Sequence, residues 1–227
     1  MTTPNLRALM AAIPFALALA AAPASAISLS HIDTFSGGSD EGWHDGGSPN
    51  PPLVVTTGGP AGSGDGWLRV TATGGSGAGS RLSVISDSDW YGNYTAVGVT
   101  AIALDAINLG TTELQLRLYF DSAAGSALSS LALNLAVGSG WTHLVFPVLP
   151  AALSGLNPAA TLQGVTGFRV FNNADAAFPP AAVVGVLGID NVAAVSAVPE
   201  PGMAWMWAAG IGLLTLPAAR RRLREPS

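Results

Sequence analysis

The sequence predicts an all-β domain, an antiparallel two-sheet sandwich, with a signal helix in front of it and a single transmembrane helix behind it. Three observations predict this. One central segment alternates apolar and polar residues with a period of two, Gly, Ser and Pro punctuate a series of short apolar runs, and the two longest apolar stretches stand at the ends of the chain.

The first end opens on the single cation Arg7, runs through an Ala- and Leu-rich stretch from Ala8 to Ala22, and closes on Ala24-Ser25-Ala26. A short apolar run ending in small residues at an A-x-A site is the pattern that signal peptidase cuts, so residues 1–26 read as a signal peptide and the mature chain as starting at Ile27. At the other end Met203 to Ala219 is uninterrupted and apolar, and Arg220, Arg221, Arg222 and Arg224 follow at once. At 1.5 Å per residue such a helix reaches about 25 Å, the short end of what crosses a bilayer. The arginines act as a stop-transfer end and, by the positive-inside rule, keep the C-terminus in the cytoplasm. The expected location is therefore the inner membrane with the domain outside the cytoplasm, and the cell surface or medium after processing.

Between the ends lie residues 27–192, long enough for one domain with one core. From Ile27 to Val198 four arginines and no lysine face twelve acidic residues, a formal net charge of −8. No basic patch exists to neutralise phosphates, which excludes nucleic acid as a partner. Cysteine is absent, which excludes thiol catalysis, thiolate metal sites and disulfides, and leaves the fold to its core alone.

The clearest strand is Glu113 to Asp121, where Leu114, Leu116, Leu118 and Phe120 alternate with Gln115, Arg117 and Tyr119. Further strands are expected at Trp67–Ala72, Arg81–Ile85, Val97–Leu104, Leu131–Val137, Trp141–Val148, Val165–Phe171 and Val183–Val195. A short turn of helix fits Pro150 to Leu156. Ala193 to Val198 is small, weakly patterned and leads into proline, so residues 193–198 are expected as a linker. Many short strands with no amphipathic helices between them argue for two packed sheets, a closed barrel being the other architecture.

The tail Val198-Pro199-Glu200-Pro201, an apolar span, then Arg220-Arg221-Arg222, resembles the PEP-CTERM sorting signal of Gram-negative bacteria. The resemblance implies an exosortase as partner, with Pro199, Glu200 and Pro201 as the sorting motif in 199–227. Independently of the family, the two prolines keep the chain extended beside the membrane, the conformation a protease grips. Ile32-Asp33-Thr34-Phe35 with Gly42-Trp43, the strand Trp67-Leu68-Arg69-Val70-Thr71, and Gly188-Ile189-Asp190-Asn191-Val192 together resemble galactose-binding-like jelly-roll domains of carbohydrate-binding modules. This second resemblance implies a jelly-roll sandwich, a structural calcium ion held by Asp33 and Asp190, and exopolysaccharide as a ligand.

Sugar rings are gripped by an aromatic face together with polar side chains. The candidates are Trp43, Trp67, Trp90, Tyr91, Tyr94 and Trp141, with Arg117 and Tyr119 on the polar side of their strand. Asp87-Ser88-Asp89-Trp90-Tyr91-Gly92 starts like a calcium loop but has Tyr91 where a third oxygen belongs, so it reads as turn chemistry. No catalytic motif appears around His31, His44 or His143, and Glu41 and Glu113 are the domain's two glutamates. The expectation is an exported, non-enzymatic surface or matrix protein. A purely adhesive component without glycan binding and a polysaccharide hydrolase are the alternatives.

Overall fold

The computed structural model describes residues 26–46, 50–77 and 79–196. Ala24 of the cleavage site, the sorting motif Pro199–Pro201, the apolar segment 203–219 and its arginines lie outside the described residues. Among the described residues no helix is long and apolar enough to cross a membrane.

The described residues form twelve strands in order: β1 Ile32–Asp33, β2 Leu53–Val55, β3 Trp67–Thr73, β4 Ser83–Ile85, β5 Ala101–Asn108, β6 Leu114–Ser122, β7 Gly125–Ser129, β8 Leu133–Leu135, β9 Thr142–Pro147, β10 Leu153–Gly155, β11 Val165–Asn172 and β12 Val184–Val195. They form two antiparallel sheets. The first runs β2-β3-β12-β5-β9, with β1 also paired to β12; the second runs β10-β7-β6-β11-β4, with β8 also paired to β6. The two-sheet antiparallel sandwich expected from the sequence is the observed architecture.

Alternation explains why these segments pair as they do. On β6 the side chains of Leu114, Leu116, Leu118 and Phe120 are all fully buried between the sheets, and a slip of one residue would expose all four. Phe120 lies opposite Phe168 of β11 and the two rings stack at 5.3 Å between centroids. Ile102, Leu104 and Ala106 of β5 and Leu187 and Ile189 of β12 face them from the first sheet. Residues 26–196 thus hold every described strand and the whole of this core, with Ile27 itself buried and its amide donating to the Tyr91 carbonyl at 2.8 Å.

Two expectations need correction. Val97 does not open a strand: it ends a short helix, α1 (Tyr94–Val97), capped by the Asn93 side chain on the Ala96 amide and closed by Gly98 at φ 80°, so β5 starts at Ala101. The segment from Ala193 is not a linker at its start. β12 runs to Val195, Ala193 and Ala194 pair with Ala103 and Ile102, and Ala194 is fully buried. β1 pairs with this end of β12, Ile32 standing opposite Ala193. The turn expected near Pro150 is a 3-10 turn at Pro150–Ala152, and a second helix, α2 (Pro158–Leu162), follows β10. Asp87 caps a 3-10 turn by accepting from the Asp89 amide, in keeping with its reading as turn chemistry.

Candidate functional site

The outward face of the second sheet carries a cleft of 210 Å³ whose walls come from three parts of the chain: Asp45, then Ser76, Gly77, Gly79, Arg81 and Ser83, and Arg169 with Phe178–Pro180. Its floor is set by strand pairing. Arg169 of β11 lies opposite Tyr119 of β6, and Phe171 opposite Arg117, all on the side away from the leucines. The Phe178 ring stacks on Tyr119 at 4.3 Å, Phe171 meets both rings edge-on, and the Arg169 guanidinium sits 5.4 Å over Phe178. A cation over an aromatic face is attracted by its quadrupole. Arg81 donates to the Pro180 carbonyl and, at 3.3 Å, to that of Ser76, tying the two loops of the cleft together.

Arg117 does something other than what was expected of it. It is buried, and its guanidinium donates to the carbonyls of Asn173, Ser129 and Ala174 at 2.9, 2.6 and 2.6 Å. Burial lowers its pKa from the ordinary value, opposed by the charge of Asp175. With the Asn173 side chain, which donates to the Ala177 carbonyl and accepts from the Asp175 amide, it fixes the loop that brings Phe178 back over Tyr119. Tyr119 is also largely buried; its hydroxyl donates to Asp121 at 2.9 Å, and burial raises its pKa. Both therefore face the expected side of the strand, but one holds the loop and the other supports the exposed ring of Phe178.

Trp43 and Trp67 are not exposed platforms. Trp43 is buried in the core, and Trp67 lies on the outer face of the first sheet, closed over Gly188, where a Cβ would come within 2.6 Å of Ile107 and 2.9 Å of the Trp67 ring. Trp141 packs edge-on against Trp67 at 5.6 Å.

Asp33 and Asp190 are likewise separated in role. Asp33 stands opposite Val192 in the ladder, and its Oδ2 accepts from the indole N–H of both Trp43 and Trp90 at 2.6 Å, with His31 Nε2 3.3 Å from Oδ1. Asp190 stands opposite Asp105 and is fully buried. Its Oδ1 accepts from the Asn191 amide at 2.7 Å, while Oδ2 has no hydrogen-bond partner. Burial, with the charges of Asp65, Asp105 and Glu41, pushes its pKa up to about 7, against the Asn191 amide, which lowers it. Its neighbours have donors of their own: Glu41 accepts from the Thr34 and Phe35 amides, Asp65 from the Ala61 amide, and Asp105 is bonded to His143 and Asn191. Among the described residues no three acidic or histidine side chains converge as a metal cluster. One oxygen of Asp190 nevertheless fits a cation, while the bonded oxygen of Asp33 does not.

No family model matches the chain, and no curated protein matches it. Among solved structures, an exo-beta-agarase superposes with a TM-score of 0.55 at 12% identity over 72% of this chain. The sandwich is therefore a fold already seen in a solved protein. The chain spans only 25% of that agarase. A family 11 carbohydrate-binding module of the Clostridium thermocellum cellulase Lic26A-Cel5E aligns more loosely, with a TM-score of 0.46 at 10% identity over 75% of this chain and 96% of the module. At such identities the likeness speaks to fold, and the site has to be argued from its own residues.

Arg169, Arg81 and Phe178 escaped the reading of the sequence. The signal for Arg169 was present: Phe168 and Val170 point into the core, so strand alternation turns Arg169 and Phe171 to the face of Tyr119. Phe178 sits in an irregular loop with no period to read.

Proposed function

We propose that the domain is a non-catalytic module that holds an extracellular polysaccharide in the cleft beside Phe178. The observation that carries this reading is the aromatic side chain of Phe178, a residue 38% exposed, flanked by two arginines in a cleft open to solvent. A pyranose stacks its C–H face on such a ring while its hydroxyls take the forked donors of Arg81 and Arg169. Agarose is the first polysaccharide to try, given what the solved agarase is named for, with soluble β-glucans beside it. Replacing Arg169 by alanine is expected to weaken retention in affinity electrophoresis about tenfold, the loss of one or two charged hydrogen bonds. Equal migration of the variant and the parent in every retarding polysaccharide would remove the cleft from the reading.

We further propose that a calcium ion sits against Asp190 Oδ2 with backbone carbonyls as its other ligands, neutralising a carboxylate otherwise left among like charges. It would be structural and take no part in a reaction.

The sequence supports export by a signal peptide and sorting by an exosortase as the route to the surface. Deleting the exosortase gene should leave the full-length chain, of 22.8 kDa less its signal peptide, in the membrane fraction. An unchanged mass and location after the deletion would defeat the sorting proposal and leave the cleft untouched.

A further inference from the structure

We propose that the end of the sandwich where β12 finishes is a lipid-contact surface, which rests on the outward leaflet of the membrane that holds the unprocessed chain. The inference depends on the reading of residues 203–219 as a membrane span. Val195 closes β12 with its carbonyl bonded to the Thr100 amide, and the Thr100 carbonyl accepts from the Val148 amide. Six residues, 197–202, separate Ser196 from Met203. Fully extended, such a tether reaches roughly 20–25 Å. This end is therefore held close to the bilayer, while Val184, at the other end of β12, lies roughly 35 Å away along the strand.

At this end lies a groove of 170 Å³ walled by Val99, Thr100, Val148, Leu149, Pro150 and Leu162, from the approach to β5, the exit from β9, and α2. Leu156, beside the N-cap of α2, is 95% exposed, and Leu29, Val97 and Leu149 are exposed as well. Leu29 belongs to this end because the Ser30 amide donates to the Ala194 carbonyl and the Ile27 amide to that of Tyr91. Exposed aliphatic side chains around an apolar groove mark a surface for a membrane or a protein. The tether chooses between them. Two anchored copies both turn this end to the bilayer, so it is not where they meet. The segments that supply it fall within 26–32, 90–104, 122–168 and 192–196, ranges without Asp, Glu, Lys or Arg. Asp89 and Asp121 border these ranges, on the 3-10 turn before α1 and near the end of β6, and neither lines the groove; Asp105 stands further along β5, opposite His143. A zwitterionic headgroup layer therefore meets an uncharged groove, and the carboxylates stay in water. A few aliphatic side chains hold a free domain weakly, but the short link makes the encounter intramolecular, at an effective concentration on the order of millimolar.

The test places the chain from Ile27 to Ser227, one copy per disc, in phosphatidylcholine nanodiscs that contain a lipid spin-labelled near its headgroup. The sequence holds no cysteine, so Gln163→Cys at the groove and Val184→Cys at the far end, both exposed, each carry a single fluorophore. The Gln163 probe should be quenched several-fold more than the Val184 probe. Leu156→Glu, with an unchanged melting curve, should lower the ratio of docked to undocked domain about tenfold, the worth of one buried leucine. Doubling the tether with Gly and Ser after Ser196 should lower it about threefold. Equal quenching of the two probes in integrated chains overturns the lipid contact and leaves the span standing. So does a Leu156→Glu variant quenched as strongly as the parent, or a Gln163 probe shielded from water yet unquenched, which puts protein over the groove. A chain that does not stay in the discs overturns the span and the contact together.

Discussion

Replacing Asp33 by alanine should lower the unfolding free energy of the domain by about 2–6 kcal/mol, because it strands two buried indole donors at once. Trp43 and Trp90 share one carboxylate oxygen, are almost wholly excluded from water, and meet each other and Phe168 in one aromatic cluster. Each N–H is satisfied by that one oxygen, and leaving it unpaired among the rings costs its desolvation. For a domain of this size each kcal/mol moves the melting midpoint by roughly 2–4 °C. Asp33→Asn keeps one acceptor oxygen and loses the charge, so its loss should be smaller. Tryptophan fluorescence against urea measures both variants; an alanine variant that unfolds with the parent's midpoint would show that the indoles find other partners.

Asp190→Asn should act in the opposite direction, and calcium should reverse it. The folded pKa of about 7 stands well above the ordinary value of 3.8. A group raised in this way contributes stability that is complete below its unfolded pKa and lost as pH rises through 7. At pH 8 the ion-free parent therefore carries a buried, ionised Asp190 at a cost on the order of 4 kcal/mol relative to pH 4 from this group alone. Asparagine keeps the acceptor for the Asn191 amide and removes the charge, so in chelator at pH 8 the variant should melt above the parent. Calcium should raise the parent and leave the variant where it is. A parent insensitive to calcium would reject the ion; a variant that melts with the parent at pH 8 in chelator would reject the raised pKa.

How far these features were legible in the sequence follows from which physical signal each one leaves. β6 could be placed because Leu114, Leu116, Leu118 and Phe120 repeat every second residue and the core is continuous beneath them. β10 and β7 could not, because Gly, Ser and Ala dominate them and no period survives. Alternation turns Arg117 to the correct face but says nothing of its partners, since the loop that returns across the sheet to cover it leaves no local pattern. The separate partners of Asp33 and Asp190 were illegible for a related reason. Both lie near the junction of β1 and β12, yet Asp33 is taken by two tryptophans from positions 43 and 90, a meeting that no local pattern announces. Phe178 and the cleft depend on the Asn173 and Arg117 bonds to the loop, which join residues more than fifty positions apart in the case of Arg117.

The strand order of the first sheet carries a consequence for synthesis. β12, the last of the described strands, lies between β3 and β5 and also receives β1. Until residues 184–195 have left the ribosome, these three strands lack their shared neighbour. The first sheet cannot close early, since the keystone arrives last. Cut before Val184, the same chain would present two bare ladders, a sticky fragment instead of a smaller stable one.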